Sequence, residues 1–224
     1  MHIEPGIVTG AKIALSYATA AGAAVYSAKL IWEALRNRGI PSLGVRAAIA
    51  TVAVFVFFEL LPHMAVGVSE VHLILGTTLL LILGTAPAAI GLALGLLIQG
   101  AFFAPSDLPQ YAMNVTTLLV PLFGLHMLSK HVITKGTAYV DLSFKQCLAM
   151  SATYQGGIVL WVAFWAFYGS GFGAENISAV LSFGAAYMLV LLIEPIADLA
   201  VLAAAKGMRN LEGSALVTPR LYSI

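Results

Sequence analysis

HLILGTTLLLILGTAPAAIGLALGLLIQGAFFA, residues 72–104, is apolar for too long to be one ordinary membrane span. A helix crossing the hydrocarbon core needs about 20 apolar residues. Gly84-Thr-Ala-Pro87 is the natural break, because proline removes a backbone donor and disfavours helix at the residue before it. The stretch therefore reads as two helices, a short one over 71–83 and a full one over 86–104. The whole chain has the same character: 224 residues, 60% hydrophobic and 9% charged, with mean hydropathy +0.95. A soluble domain carries roughly 25% charged residues. The expectation is an all-α, polytopic membrane protein of about seven transmembrane helices (six to seven).

Outward from that stretch, residues 7–36 read as one long first helix whose ~45 Å exceeds the bilayer core. Its middle is crowded with small residues, Ala20 and Ala24 among them. Small-xxx-small spacing lets another helix approach closely where lipid gives no hydrophobic drive. That face suits packing within the subunit or docking to a membrane partner. A Gly39-Ile-Pro41 turn leads to a second helix over 44–61, ending in Glu59-Leu-Leu-Pro62-His63. A polar link, Met64 to Glu70, precedes His72. Further helices are expected at 109–129, 146–169 and 176–204, with a polar loop at 130–145. Residues 1–204 then form a single transmembrane domain and 205–224 a cytoplasmic polar tail.

Basic residues orient the chain. With the N-terminus outside and the C-terminus cytoplasmic, the inner segments hold Arg36, Arg38, Arg46, Lys130, Lys135, Lys145, Lys206, Arg209 and Arg220. The outer segments hold Glu4, Glu59, Glu70, Asp107 and Glu175, with Lys12 the only nearby base. Met1, His2, His63 and His72 thus share the outer face. His126 and His131 sit at the inner end, on the wrong side to join them. The start is not a cleavable signal peptide, lacking a basic region ahead of a short apolar core. A net charge of +1 implies no nucleic-acid partner. The lone Cys147 excludes an intrachain disulfide and a thiolate metal cluster. No GxxxxGK[ST] phosphate loop occurs, so the chain is not an ordinary P-loop ATPase.

Met1-His2 offers three nitrogens from two residues: the terminal amine, the His2 backbone nitrogen and the His2 imidazole. Such a grip suits Ni(II) or Cu(II), and imidazole also suits cobalt or zinc. A fourth nitrogen could come from His63 or His72. Metal-bound histidines usually donate their second ring nitrogen to an oxygen, and Ser69, Gln99 and Asn114 could supply one. Gln99 and Asn114 lie in apolar helices, where an unpaired amide costs several kcal/mol. A helix–helix hydrogen bond would satisfy them equally. Glu59 at the outer boundary is expensive to bury as a charge; it could pair with His63 or line the path by which the ion arrives. Glu194 and Asp198 are one turn apart on one helical face.

Met1-His2-Ile3 with Gly6, Gly67-Val-Ser69-Glu-Val-His72-Leu, Leu96-Leu-Ile-Gln99, Asn114 and Glu194-Pro-Ile-Ala together resemble the CbiM/NikM family. These are the substrate-binding membrane (S) components of energy-coupling-factor (ECF) type cobalt and nickel ABC importers. The resemblance covers about residues 1–204. It implies metal ligation by the Met1 amine, the His2 backbone nitrogen, the His2 imidazole and His72. His63 then becomes auxiliary or incidental, and Glu194 and Asp198 serve packing or partner coupling. Glu4-Pro5 and Glu70-Val71 depart from the family pattern, which leaves the choice of metal open.

The resemblance further implies Co2+ or Ni2+ as transported substrate, no organic cofactor, and a bacterial inner (plasma) membrane. Its partners would be a membrane coupling (T) subunit and cytoplasmic ABC ATPases, with or without a small accessory membrane subunit. ATP hydrolysis falls to those partners, so this chain is a transport subunit and not an enzyme. Cobalt would serve cobalamin biosynthesis. Two other readings stand beside it. A proton-coupled secondary carrier would use Glu59, Glu194 and Asp198 as a relay, but no clear inverted repeat supports one. A membrane-embedded metallohydrolase would use Glu59, His63 and His72, without the HExxH spacing that such enzymes show.

Overall fold

α1 (Ala14–Glu59) is two membrane-length arms joined without a loop. The join is Gly39, at φ 73° and ψ 176°, a left-handed position that glycine adopts at no steric cost. Pro41 follows in the first turn of the second arm, where its missing N–H has no helical partner to lose. The computed structural model describes residues 3–134 and 136–223. Met1 and His2, two of the expected ligands, and Lys135, one of the expected inner-face bases, lie outside the described residues.

Beyond α1 come a hairpin of β1 (Met64–Val66) and β2 (Ser69–Val71), then α2 (Gly76–Leu83), α3 (Thr85–Phe102), α4 (Tyr111–Val132), α5 (Phe144–Ser170), α6 (Ala174–Met188) and α7 (Glu194–Gly207). Among the described residues five stretches are long and apolar enough to cross a membrane: Gly10–Glu59, Thr85–Phe102, Pro105–Val132, Phe144–Ser170 and Ala174–Gly207. The first contributes two arms, so six rods stand side by side, and the short α2 is a seventh, partial one. This is an all-α polytopic membrane protein.

Three boundaries differ from the sequence expectation. The first helix starts at Ala14 after a 3-10 turn (Gly10–Ile13), because the residues before it turn and bend away from Ile3, which is docked against the hairpin. The third helix starts at Gly76 rather than 71. Met64–Val71 forms the hairpin, and His72–Leu75 enters the helix layer without helical structure. The expected last helix, 176–204, is broken. A 3-10 turn (Leu189–Leu192) and Ile193 separate α6 from α7, since Pro195 cannot donate and crowds the preceding turn.

Close approach of backbones holds the rods together. At Gly91 and Gly95 of α3, a Cβ would lie 2.3 Å from Ala50 and 2.6 Å from Val54 of the second α1 arm. Interfaces of this kind supply the packing that lipid-exposed helices need. Large fully buried side chains fill the interior: Tyr154 and Trp165 from α5, Phe183 and Tyr187 from α6, and Phe58 from the end of α1. On the face opposite the hairpin the chain after α7 folds back. Arg38 donates to the Gly213 and Ser214 carbonyls at 3.0 Å, and the Thr218 amide donates to Ile82 at 2.8 Å.

Candidate metal-binding site

The hairpin registers Met64 with Val71, Ala65 with Glu70 and Val66 with Ser69, leaving Gly67-Val68 as its two-residue turn. Two-residue turns of this kind need a positive φ, which Gly67 supplies at 61°. Gly67 also presses on α6, where a Cβ would sit 2.1 Å from the Ala179 carbonyl oxygen. The N-terminal segment completes a small three-stranded patch. Ile3 bridges Ser69 in antiparallel sense, and the Glu4 amide donates to the Val68 carbonyl at 3.2 Å.

Asn114 of α4 accepts a hydrogen bond from the Ile3 amide at 3.0 Å. Its side-chain oxygen therefore holds backbone, not a histidine ring. Ile3 and Val8 are each 1% exposed, and Ser170 donates to the Ile7 carbonyl. Lys12 donates to the carbonyls of Tyr168 and Gly169 at 3.0 and 2.8 Å, capping the end of α5. The start of the chain is thus built into the membrane domain.

His72, immediately after β2, is 1% exposed. Its Nε2 lies 2.9 Å from Glu70 Oε2. A carboxylate only accepts, so Nε2 carries a proton in this contact. The Phe58 ring meets the imidazole edge-on at 5.1 Å. The exposed His63 stacks on it from the other direction at 4.9 Å with 14° between planes. Sequence spacing allowed either histidine to reach the site, and the fold brings both rings together. His63 Nδ1 is 3.3 Å from the Leu61 carbonyl, which fixes that ring's proton in the same way.

The other expected residues fall into place as follows. Ser69 is fully buried at the bridge to Ile3. Gln99 is 5% exposed on α3, and its Oε1 meets no hydrogen-bond donor among the described residues. Glu59 closes the second arm of α1 and is half-buried. Ala20 and Ala24 line an open, almost wholly apolar groove of about 480 Å³ between the first α1 arm, α3 and α4. Glu70, which the sequence marks only as a departure from the family pattern, is the acid that meets the His72 ring, a contact expected instead from Ser69, Gln99 or Asn114. Its spacing of two from His72 on an extended strand puts both side chains on one face, and that was the available signal.

Among the described residues no group of three or more His, Cys, Asp and Glu is placed to hold a metal ion. Glu59, His63 and His72 do not form one, so a metallohydrolase built on them loses its ligand set. Against known proteins, the family model for the cobalt uptake substrate-specific transmembrane region, CbiM, matches residues 2–211. The chain belongs to the CbiM family. As a CbiM-family protein it is a transmembrane component of cobalt uptake, with cobalt as the transported substrate. No curated protein and no solved structure matches it.

Proposed function

We propose that this CbiM-family chain is the substrate-capture subunit of an ECF-type importer, holding Co(II) or Ni(II) through Met1, His2 and His72. The carrying observation is the docking of the N-terminal segment on the strand that leads to His72. Ile3 is bridged to Ser69 and hydrogen-bonded to Asn114, while His72 lies three residues beyond Ser69. Glu70 supports the reading by turning His72 Nδ1 into a ligand. His63, stacked over His72 and exposed, suits the last step of an ion's approach better than permanent ligation.

Uptake needs energy that this chain has no phosphate loop to provide. In this reading cytoplasmic ABC ATPases and a membrane coupling subunit supply it, and the groove at Ala20 and Ala24 is the docking face for the coupling subunit. Cobalt so delivered feeds cobalamin biosynthesis, and a bacterial inner membrane is the setting. The test is titration of the purified protein, bearing its native start, with Co(II) and Ni(II). One residue inserted ahead of Met1, His2→Ala and His72→Ala should each abolish high-affinity binding, while His63→Ala keeps it. Native-like binding by the extended chain would sink the chelate.

A further inference from the structure

Two carboxyl groups lie inside the molecule, outside the site just described. Glu194 is 0% and Asp198 1% exposed, and among the described residues neither forms an ion pair. Gln155 Nε2 of α5 donates to Glu194 Oε2 at 2.5 Å, and Ser151 Oγ donates to Asp198 Oδ2 at 2.9 Å. Their remaining partners are on α2. Gly76 faces Glu194, and the Thr78 hydroxyl donates to Asp198. Both acids therefore lie against one object, the first turn of α2, and Asp198 holds it through Thr78.

That turn needs holding. α2 has eight residues and starts among packed helices rather than at water, so its leading amides would otherwise be orphaned in a medium with no donors or acceptors. At its other end Arg46, 4% exposed, donates from Nη1 to the Leu83 carbonyl at 2.7 Å. Acid at the N-terminus and arginine at the C-terminus both complement the helix dipole. Tyr154 packs so tightly on Gly76 that a Cβ there would lie 2.2 Å from its ring. Leu75, directly before the turn, has φ 55° and ψ 39°, the only non-glycine positive φ among the described residues. Such a conformation persists only where the surroundings impose it. The break before Pro195 is what brings Glu194 to the head of α7, facing this turn.

His72 is joined to α2 by three residues, Leu73, Ile74 and Leu75, so a shift of the turn passes to the imidazole with little slack. We propose that Glu194 and Asp198 are positioning residues for ion capture, setting the depth and orientation of His72 through the first turn of α2. The inference rests on His72 being a ligand.

The experiment is Co(II) titration of protein with its native start, read by affinity and by the ligand-field absorption of the bound ion. Glu194→Leu should weaken binding by roughly tenfold or more, the scale of lost outer-shell support, and should alter the spectrum. Glu194→Gln, which keeps the side chain's shape and an oxygen facing Gly76, should recover most of the affinity and the native spectrum. Thr78→Val, which removes one grip on Asp198 and keeps the shape, covers the case in which Glu194→Leu does not fold; it too should weaken binding and shift the spectrum. Native affinity and spectrum in folded Glu194→Leu, or in Thr78→Val, would overturn the proposal. A parallel His72→Ala arm separates the two claims. Loss of binding there with native behaviour in the α2 variants removes only the positioning role, whereas retained binding removes the site itself.

Discussion

Glu70 of β2 and His72 just after it share one face, and their 2.9 Å contact decides which imidazole nitrogen the proposed site offers to the ion. Orienting carboxylates of this kind are worth about 10–100-fold in metal affinity. Glu70→Ala should therefore weaken Co(II) binding by that order, and Glu70→Gln, whose amide oxygen still accepts from Nε2–H, should fall in between. Isothermal titration of the two variants checks the order; equal affinity for Ala and native protein would mean that packing alone sets the ring. At this scale the sequence was partly legible. The histidine and its two-residue spacing from an acid are plain in the chain. Asn114, in contrast, reads as a side chain awaiting a histidine, yet it holds the Ile3 amide 111 positions away. A single buried amide has several ways to be satisfied, and only the fold selects one.

Elements sort by what fixes their ends. Helices bounded by Gly39 and by Gly84 were readable, because proline and glycine act locally. The Ser143 capping box that starts α5 went unread, and the expected start was 146. The start of α2 was not readable, because apolar residues 72–75 carry no local signal against helix; the clamp comes from Glu194, Asp198 and Tyr154, far away in sequence. The hairpin was read as a polar link since three-residue strands are too short to show periodicity. Packing between elements yields its own prediction. Gly95 of α3 has no room for a side chain against Val54 of α1. Overfilling such a contact costs typically 1–3 kcal/mol. Gly95→Leu should lower the thermal midpoint in detergent and leave Co(II) affinity within about threefold of native, since the contact lies in the scaffold. A midpoint equal to native would show that the α1–α3 interface gives way easily.

Taken whole, the molecule has one face built around its own beginning and a long apolar groove on its flank, and each carries a testable consequence. If a coupling subunit docks along the groove, Ala20→Leu with Ala24→Leu should fill it and abolish co-purification of partners while binding of the ion stays native. Unchanged co-purification would move the docking face elsewhere. If the ion sits on the proposed ligands, it ties the N-terminal segment, the hairpin and α2 into one unit, so binding should stabilise the folded state. For a single site the gain is RT ln(1 + [L]/Kd), about 2.7 kcal/mol at a hundredfold excess over Kd. Protein with its native start should therefore unfold at a higher midpoint when Co(II) is added at fixed heating rate. A chain lengthened by one residue ahead of Met1 should match the native midpoint without metal and gain nothing from it. Ile3, Val8 and Lys12 contact Ser69, the core and the end of α5, groups other than the terminal amine, so a difference confined to the metal-loaded samples isolates the chelate from the docking of the segment. Equal stabilisation of both chains would place the ion on groups other than the terminal amine, and would leave the buried N-terminal segment as a structural strap.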